Sequence, residues 1–171
     1  MVLTAGAMRQ HLDLGTDTSQ DARLAEYEAA AVELVNKRIG PVLPRAEVDM
    51  ATWNGPSLVL RHSPVISVQS ITSGGTPVSS SQFRLDGPAG ILRANGSLHG
   101  PVEVNYTAGY AFVPELVRQV LLDLVRVRYE SRAGALPVEV AEEQDLPRAF
   151  PPDDEAILAR LTPYRRGPRV D

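Results

Sequence analysis

The chain has 171 residues, 43% of them hydrophobic and 22% charged, with no cysteine and a net charge of −4. This balance fits one folded domain with extensions and excludes a disordered or membrane-spanning class, while the missing cysteines exclude disulfides, thiolate metal sites and cysteine nucleophiles. The acidic balance argues against a general nucleic-acid binder, and with no signal-peptide order and no long apolar run the protein is expected to be made in the cytoplasm, away from membranes.

In chain order, Thr4 is placed to cap a first helix, 4–14, in which Met8 and Leu12 recur at i,i+4 spacing. A second helix spans 21–39, with Leu24, Tyr27, Ala31, Leu34, Val35 and Ile39 on one side, a Glu33–Lys37 pair on the other, and Gly40-Pro41 as its stop. Between 46 and 107 the period changes to two, which predicts an inserted antiparallel sheet. Val48, Met50 and Thr52 form one row, Leu58 and Leu60 follow, and Val65, Ser67 and Gln69 alternate with Ile66, Val68 and Ser70. Gly74-Gly75 and Gly87–Gly90 read as turns. The last strand alternates Val102, Val104 and Tyr106 against Glu103, Asn105 and Thr107.

Pro114 and Glu115 then suit the first turn of a long helix, 114–132, because proline has no N–H to lose there and the carboxylate complements the helix dipole. Its apolar arc is unusually wide: Leu116, Val117, Val120, Leu121, Leu124, Val125 and Val127 cover about half the circumference, and Leu122 and Tyr129 widen it further. So much apolar surface needs two partner surfaces, either both from this chain or one from another subunit. Leu122, Val125 and Tyr129 are the candidate interface residues. Residues 133–171 form an extended C-terminal arm, acidic and proline-rich over 133–152, ending in a short helix at about 154–162 whose Ile157, Leu158 and Leu161 are apolar. The expected fold class is therefore α+β: a small helical bundle with an inserted antiparallel β-sheet and that terminal arm. The division is 1–132 for the core and 133–171 for the arm.

The sequence contains no phosphate-binding loop, no H-E-x-x-H and no G-x-S-x-G. His11, His62 and His99 share no metal-ligand spacing, and Asp153-Asp154 is explained as a helix start, so no catalytic residue, metal or cofactor is expected. Trp53 is either a binding-face anchor or a core residue at a strand end. Arg165, Arg166 and Arg169 form a basic tail.

The order of these elements, with Ser63-Pro64-Val65-Ile66-Ser67-Val68, Phe83-Arg84-Leu85, Gly90-Ile91-Leu92, the run Val102-Glu103-Val104-Asn105-Tyr106-Thr107-Ala108-Gly109-Tyr110 and Val113-Pro114 before the long helix, resembles the head-tail connector, or adaptor, family of tailed bacteriophages. Ala159 to Arg166 is similar to the family's C-terminal signature. The resemblance implies a structural virion protein and not an enzyme: a homo-oligomeric ring of about twelve subunits beneath the capsid portal, in the virion neck. Its partners would be the portal protein and a stopper or tail-completion protein, with duplex DNA in transient passage.

On that view the arm is a docking device for the portal. Ile157, Leu158, Leu161 and Tyr164 would supply the anchor, Arg160, Arg165 and Arg166 would pair with acidic groups, and the extended segment could span roughly 60 Å. The alternative is that the last helix folds back on its own domain. Among other functions, a stopper or tail-terminator protein is the nearest alternative, and a small hydrolase using His62, His99 or Asp86 is a more distant one.

Overall fold

The computed structural model describes residues 1–96, 98–133 and 154–164. The protein has an α+β fold that divides into two compact units, a discontinuous one made of residues 1–39 and 114–171 and an inserted one made of residues 40–113. Among the described residues no helix is long and apolar enough to cross a membrane.

The discontinuous unit is helical. It contains α1 (Ala5–His11), α2 (Asp21–Ile39), α3 (Glu115–Ala133) and α4 (Asp154–Ala159), with a 3-10 turn at Thr162–Tyr164. Thr4 caps α1 as its residue type predicts, its hydroxyl accepting from the Ala7 N–H at 3.2 Å. Leu24, Ala31, Val35 and Ile39 of α2 face Val117, Val120, Leu121, Leu124 and Val125 of α3, and Met8 and Leu3 complete the buried set. One buried carboxylate belongs to this core. Glu28 is 4% exposed, and its Oε1 accepts from the backbone N–H groups of Val2 at 2.5 Å and Leu3 at 2.8 Å. The chain start is thereby fastened to the middle of α2.

Among its described residues the inserted unit holds seven strands in two antiparallel sheets, where a single small sheet was expected. One has the order β1 (Arg45–Trp53), β7 (Gly100–Ala108), β3 (Val65–Ser73) and β4 (Thr76–Pro77). The other has the order β2 (Ser57–Val59), β6 (Ile91–Ala94) and β5 (Phe83–Asp86). Their inner faces share one core, to which Trp53, Val65, Ile71, Val104 and Tyr106 contribute from the first sheet and Leu58 and Leu92 from the second. On β7 the predicted alternation holds, with Val102, Val104, Tyr106 and Ala108 all buried.

On β1 the row of Val48 and Met50 is the outward one, exposed at 55% and 81%. The inward row of β1 is Asp49, Ala51 and Trp53, since burying the indole outweighs exposing a valine and a methionine. In β3 strict alternation fails because the register against β7 slips between Val65 and Ser67 and again between Val68 and Ser70. Each slip is a β-bulge that puts one extra residue on the strand, so the core-facing positions become Val65, Val68 and Ile71, three apart instead of two. At the end of β7, Gly109 has φ +118° and lies so close to the Leu43 carbonyl that a Cβ would stand 2.4 Å from its oxygen, so only glycine fits.

Candidate functional site

The residues singled out on α3 do not form one surface. Val125 is 1% exposed and belongs to the helical core, whereas Leu122 and Tyr129 are half-buried on the flank of the helix. Val125 lies on the same side as Val117, Leu121 and Leu124, in the packed core of the helical unit. The wide apolar arc thus has two parts, one packed within the unit and one that ends at Leu122 and Tyr129.

The terminal helix is brought to the same place. α4 packs on α3, with Leu158 7% exposed and Leu161 fully buried. Ion pairs border that packing. Asp154 lies 3.5 Å from Arg128, Glu155 lies 2.7 Å from Arg38 of α2, and Arg160 contacts Asp123 of α3. Asp123 also has His11 Nε2 at 3.3 Å, so α1, α3 and the residue after α4 meet around one carboxylate. Of the seven proposed docking residues, Leu158 and Leu161 therefore face inward, Arg160 is exposed, and Ile157 and Tyr164 are half-buried. Arg165 and Arg166, like the segment 134–153, lie outside the described residues.

In the inserted unit the polar groups serve the fold. Trp53 is fully buried with its indole N–H donating to the Gly55 carbonyl at 3.0 Å, which makes it a core residue and not an exposed anchor. The Tyr106 hydroxyl accepts from the His62 N–H at 3.1 Å and donates to Asp49 Oδ2 at 3.0 Å, and Asp49 also accepts from the Arg61 N–H at 2.5 Å. Burial, and secondarily the Asp49 carboxylate, push the Tyr106 phenol well above its ordinary value, so it stays protonated and is no nucleophile at neutral pH. His62 Nε2 stands 3.9 Å from Glu47, and His99 is exposed in its turn. Among the described residues no group of three histidine, aspartate or glutamate side chains is placed to hold a metal ion.

Two features escaped sequence reasoning. Phe112, in the loop before α3, is 92% exposed. Arg84 and Arg93 face each other across the β5–β6 ladder, a pairing that only the register reveals.

Solved structures share this fold. A chain in the neck of an empty gene transfer agent (GTA) particle, computed with C6 symmetry, matches 99% of this chain and 92% of its own length at 22% identity, with a TM-score of 0.67. A chain in the virion of a native GTA particle matches 99% and 92% at 24% identity, also with a TM-score of 0.67. A chain in the neck of a native GTA particle, computed with C12 symmetry, matches 99% and 91% at 22% identity, with a TM-score of 0.66. No protein-family model matches the sequence, and no curated protein does.

Proposed function

We propose that this chain is a structural protein of the neck of a phage-like particle, the adaptor that forms a ring beneath the capsid portal and joins head to tail. The observation that carries the proposal is the extent of the fold match: 99% of the chain follows chains drawn from necks that were computed with C6 and C12 symmetry. The sequence resemblance to head-tail connectors points to the same place independently. A ring of this kind is heterologous, each subunit offering one patch to a different patch on its neighbour. Leu122 and Tyr129, half-buried on the flank of α3, are suited to such a patch, and Val125 supports it from beneath. Ile157, Arg160 and Tyr164 of the α4 segment, each at least partly exposed, are the side chains best placed to meet the portal. The partner below is a stopper or tail-completion protein, and duplex DNA passes through the ring. The role needs no cofactor and no catalytic group.

Cryo-electron microscopy of the parent particle at side-chain resolution tests this. The expected result is a ring of this chain in direct contact with the portal. Density for it one ring lower would make it the stopper, and density in the shell or tail tube would overturn the neck assignment.

A further inference from the structure

We propose that Arg84 and Arg93 form a phosphate-contact site for duplex DNA on the outer face of the three-stranded sheet; the proposal rests on the reading of the chain as a neck ring through which DNA passes. Strand alternation turns Leu85 and Leu92 into the core and leaves both arginines exposed on the other face. They are direct partners in the β5–β6 register. Facing residues of an antiparallel pair hold their Cβ atoms about 4.5–5.5 Å apart, and like charges in that arrangement destabilise the ladder.

The chain has acids enough to neutralise them, with 21 against 17 lysines and arginines. For most described arginines it does so: Arg9, Arg38, Arg45, Arg118, Arg126, Arg128 and Arg160 each meet a carboxylate, while Arg23 donates to the Gln20 side chain. Among the described residues Arg84 and Arg93 meet none. Asp86 lies on the same face and lines the same recess, together with Gly87 and Pro88. Its Oδ1 is engaged by the Ala89 N–H at 3.4 Å and not by either guanidinium. A repulsive pair left without a counter-ion in an acidic chain is explained by an anion that comes from outside.

The layout favours a nucleic-acid backbone. Ser57 faces Arg93 across the β2–β6 ladder, so Ser57, Arg93 and Arg84 lie in one row across three strands. Neighbouring strands are about 4.8 Å apart, which spreads the three donors over about 10 Å. Arginine and serine are common donors to phosphate oxygens, and those contacts are independent of sequence. One carboxylate is matched by one guanidinium fork, whereas a DNA strand offers a series of anions to the whole row. Such contacts carry no base-sequence information, so they are equivalent at every step of a sliding duplex.

The test uses the full chain and a fluorescent duplex of about 20 base pairs, with anisotropy read from low to physiological salt. The wild type should bind weakly, with log affinity falling by about 1.8 per decade of salt for two phosphate contacts. The double variant Arg84→Gln/Arg93→Gln should lose about tenfold or more at low salt and most of the salt slope. Its melting temperature should be equal or higher, because the cross-strand repulsion is gone, which separates lost contact from lost fold. Arg126→Gln, whose guanidinium is held by Glu130 at 2.6 Å, should bind as the wild type does. Unchanged binding by the double variant, no binding by the wild type, or capture of a polyglutamate peptide in preference to the duplex would each overturn the site. None of these results moves the ring seen by microscopy, so this inference can fail while the neck assignment stands.

Discussion

Tyr106 on the central strand β7 donates its hydroxyl to Asp49 on the edge strand β1 at 3.0 Å, from the buried side of the sheet. Asp49 is 8% exposed and is also held by the Arg61 N–H, while the Tyr106 oxygen accepts from His62. Two polar side chains inside an apolar core thus satisfy one another and pin the loop that leads from β2 to β3. Tyr106→Phe removes one donor from Asp49 and the acceptor of the His62 N–H. It should cost about 1–3 kcal/mol in urea unfolding, with no change in the far-ultraviolet circular dichroism.

The same pair sets an alkaline limit. The phenol is raised from 10.0 in the folded state, chiefly by burial. A group raised on folding stabilises fully below its unfolded value, and that contribution is lost as pH rises from there toward the folded value. The stability advantage of the wild type over Tyr106→Phe should therefore be constant from pH 6 to about 9 and shrink above about pH 10. A gap that widened with alkali would contradict the buried, protonated phenol.

Glu28 offers a second buried test. Its carboxylate satisfies the N–H groups of Val2 and Leu3, so Glu28→Ala leaves two donors without a partner. The expected loss is about 2–4 kcal/mol, with faster hydrogen exchange at the first residues. Glu28→Gln keeps an acceptor oxygen and should lose less than half as much.

The α3 residues separate fold from assembly. Val125→Asp places a carboxylate in a core position with 1% exposure and should yield little folded protein. Leu122→Asp and Tyr129→Asp alter half-buried flank positions. Both should fold with melting temperatures within a few degrees of the wild type yet be missing from purified necks. Normal incorporation of both would remove these two residues from the subunit interface.

What the sequence made legible follows from how locally each feature is encoded. The helix cap at Thr4, the stop after Ile39 and the alternation Val102-Val104-Tyr106 need only neighbouring residues, and the structure has all three. Which row of β1 turns inward is less local, because alternation alone leaves Val48 and Met50 as rivals to Asp49, Ala51 and Trp53, and burial of the indole decides for the second row. The β3 bulges depend on a partner strand far along the chain, and so do the Asp49–Tyr106 bond and the cooperation of Glu28 with the chain start. Arg84 and Arg93 were nearer to legible, since the Gly87–Gly90 turn that opposes Asp86 and Ile91 also opposes the two arginines. Their significance appears only beside the carboxylate partners of Arg9, Arg38, Arg45, Arg126, Arg128 and Arg160.

The return of α4 onto α3 changes what the C-terminus is expected to do. The return itself is held by Leu158 of α4 and by Leu161 just beyond it, both buried, since a six-residue helix is too short to persist without such packing. Arg128–Asp154, Arg38–Glu155 and Arg160–Asp123 surround that contact, and being partly exposed they add little beyond orientation. Leu161→Ala should therefore cost about 2–5 kcal/mol, and a chain ending at Arg132 should melt well below the full chain because it uncovers α3. Arg160→Ala removes only a bordering ion pair and should change stability by less than about 1 kcal/mol. If the α4 segment contacts the portal through Arg160, Arg160→Ala should nevertheless weaken attachment to portal-bearing heads, most visibly at low salt. Sedimentation of such heads with wild-type and Arg160→Ala chains checks this, and equal co-sedimentation would assign the α4 segment to the fold alone.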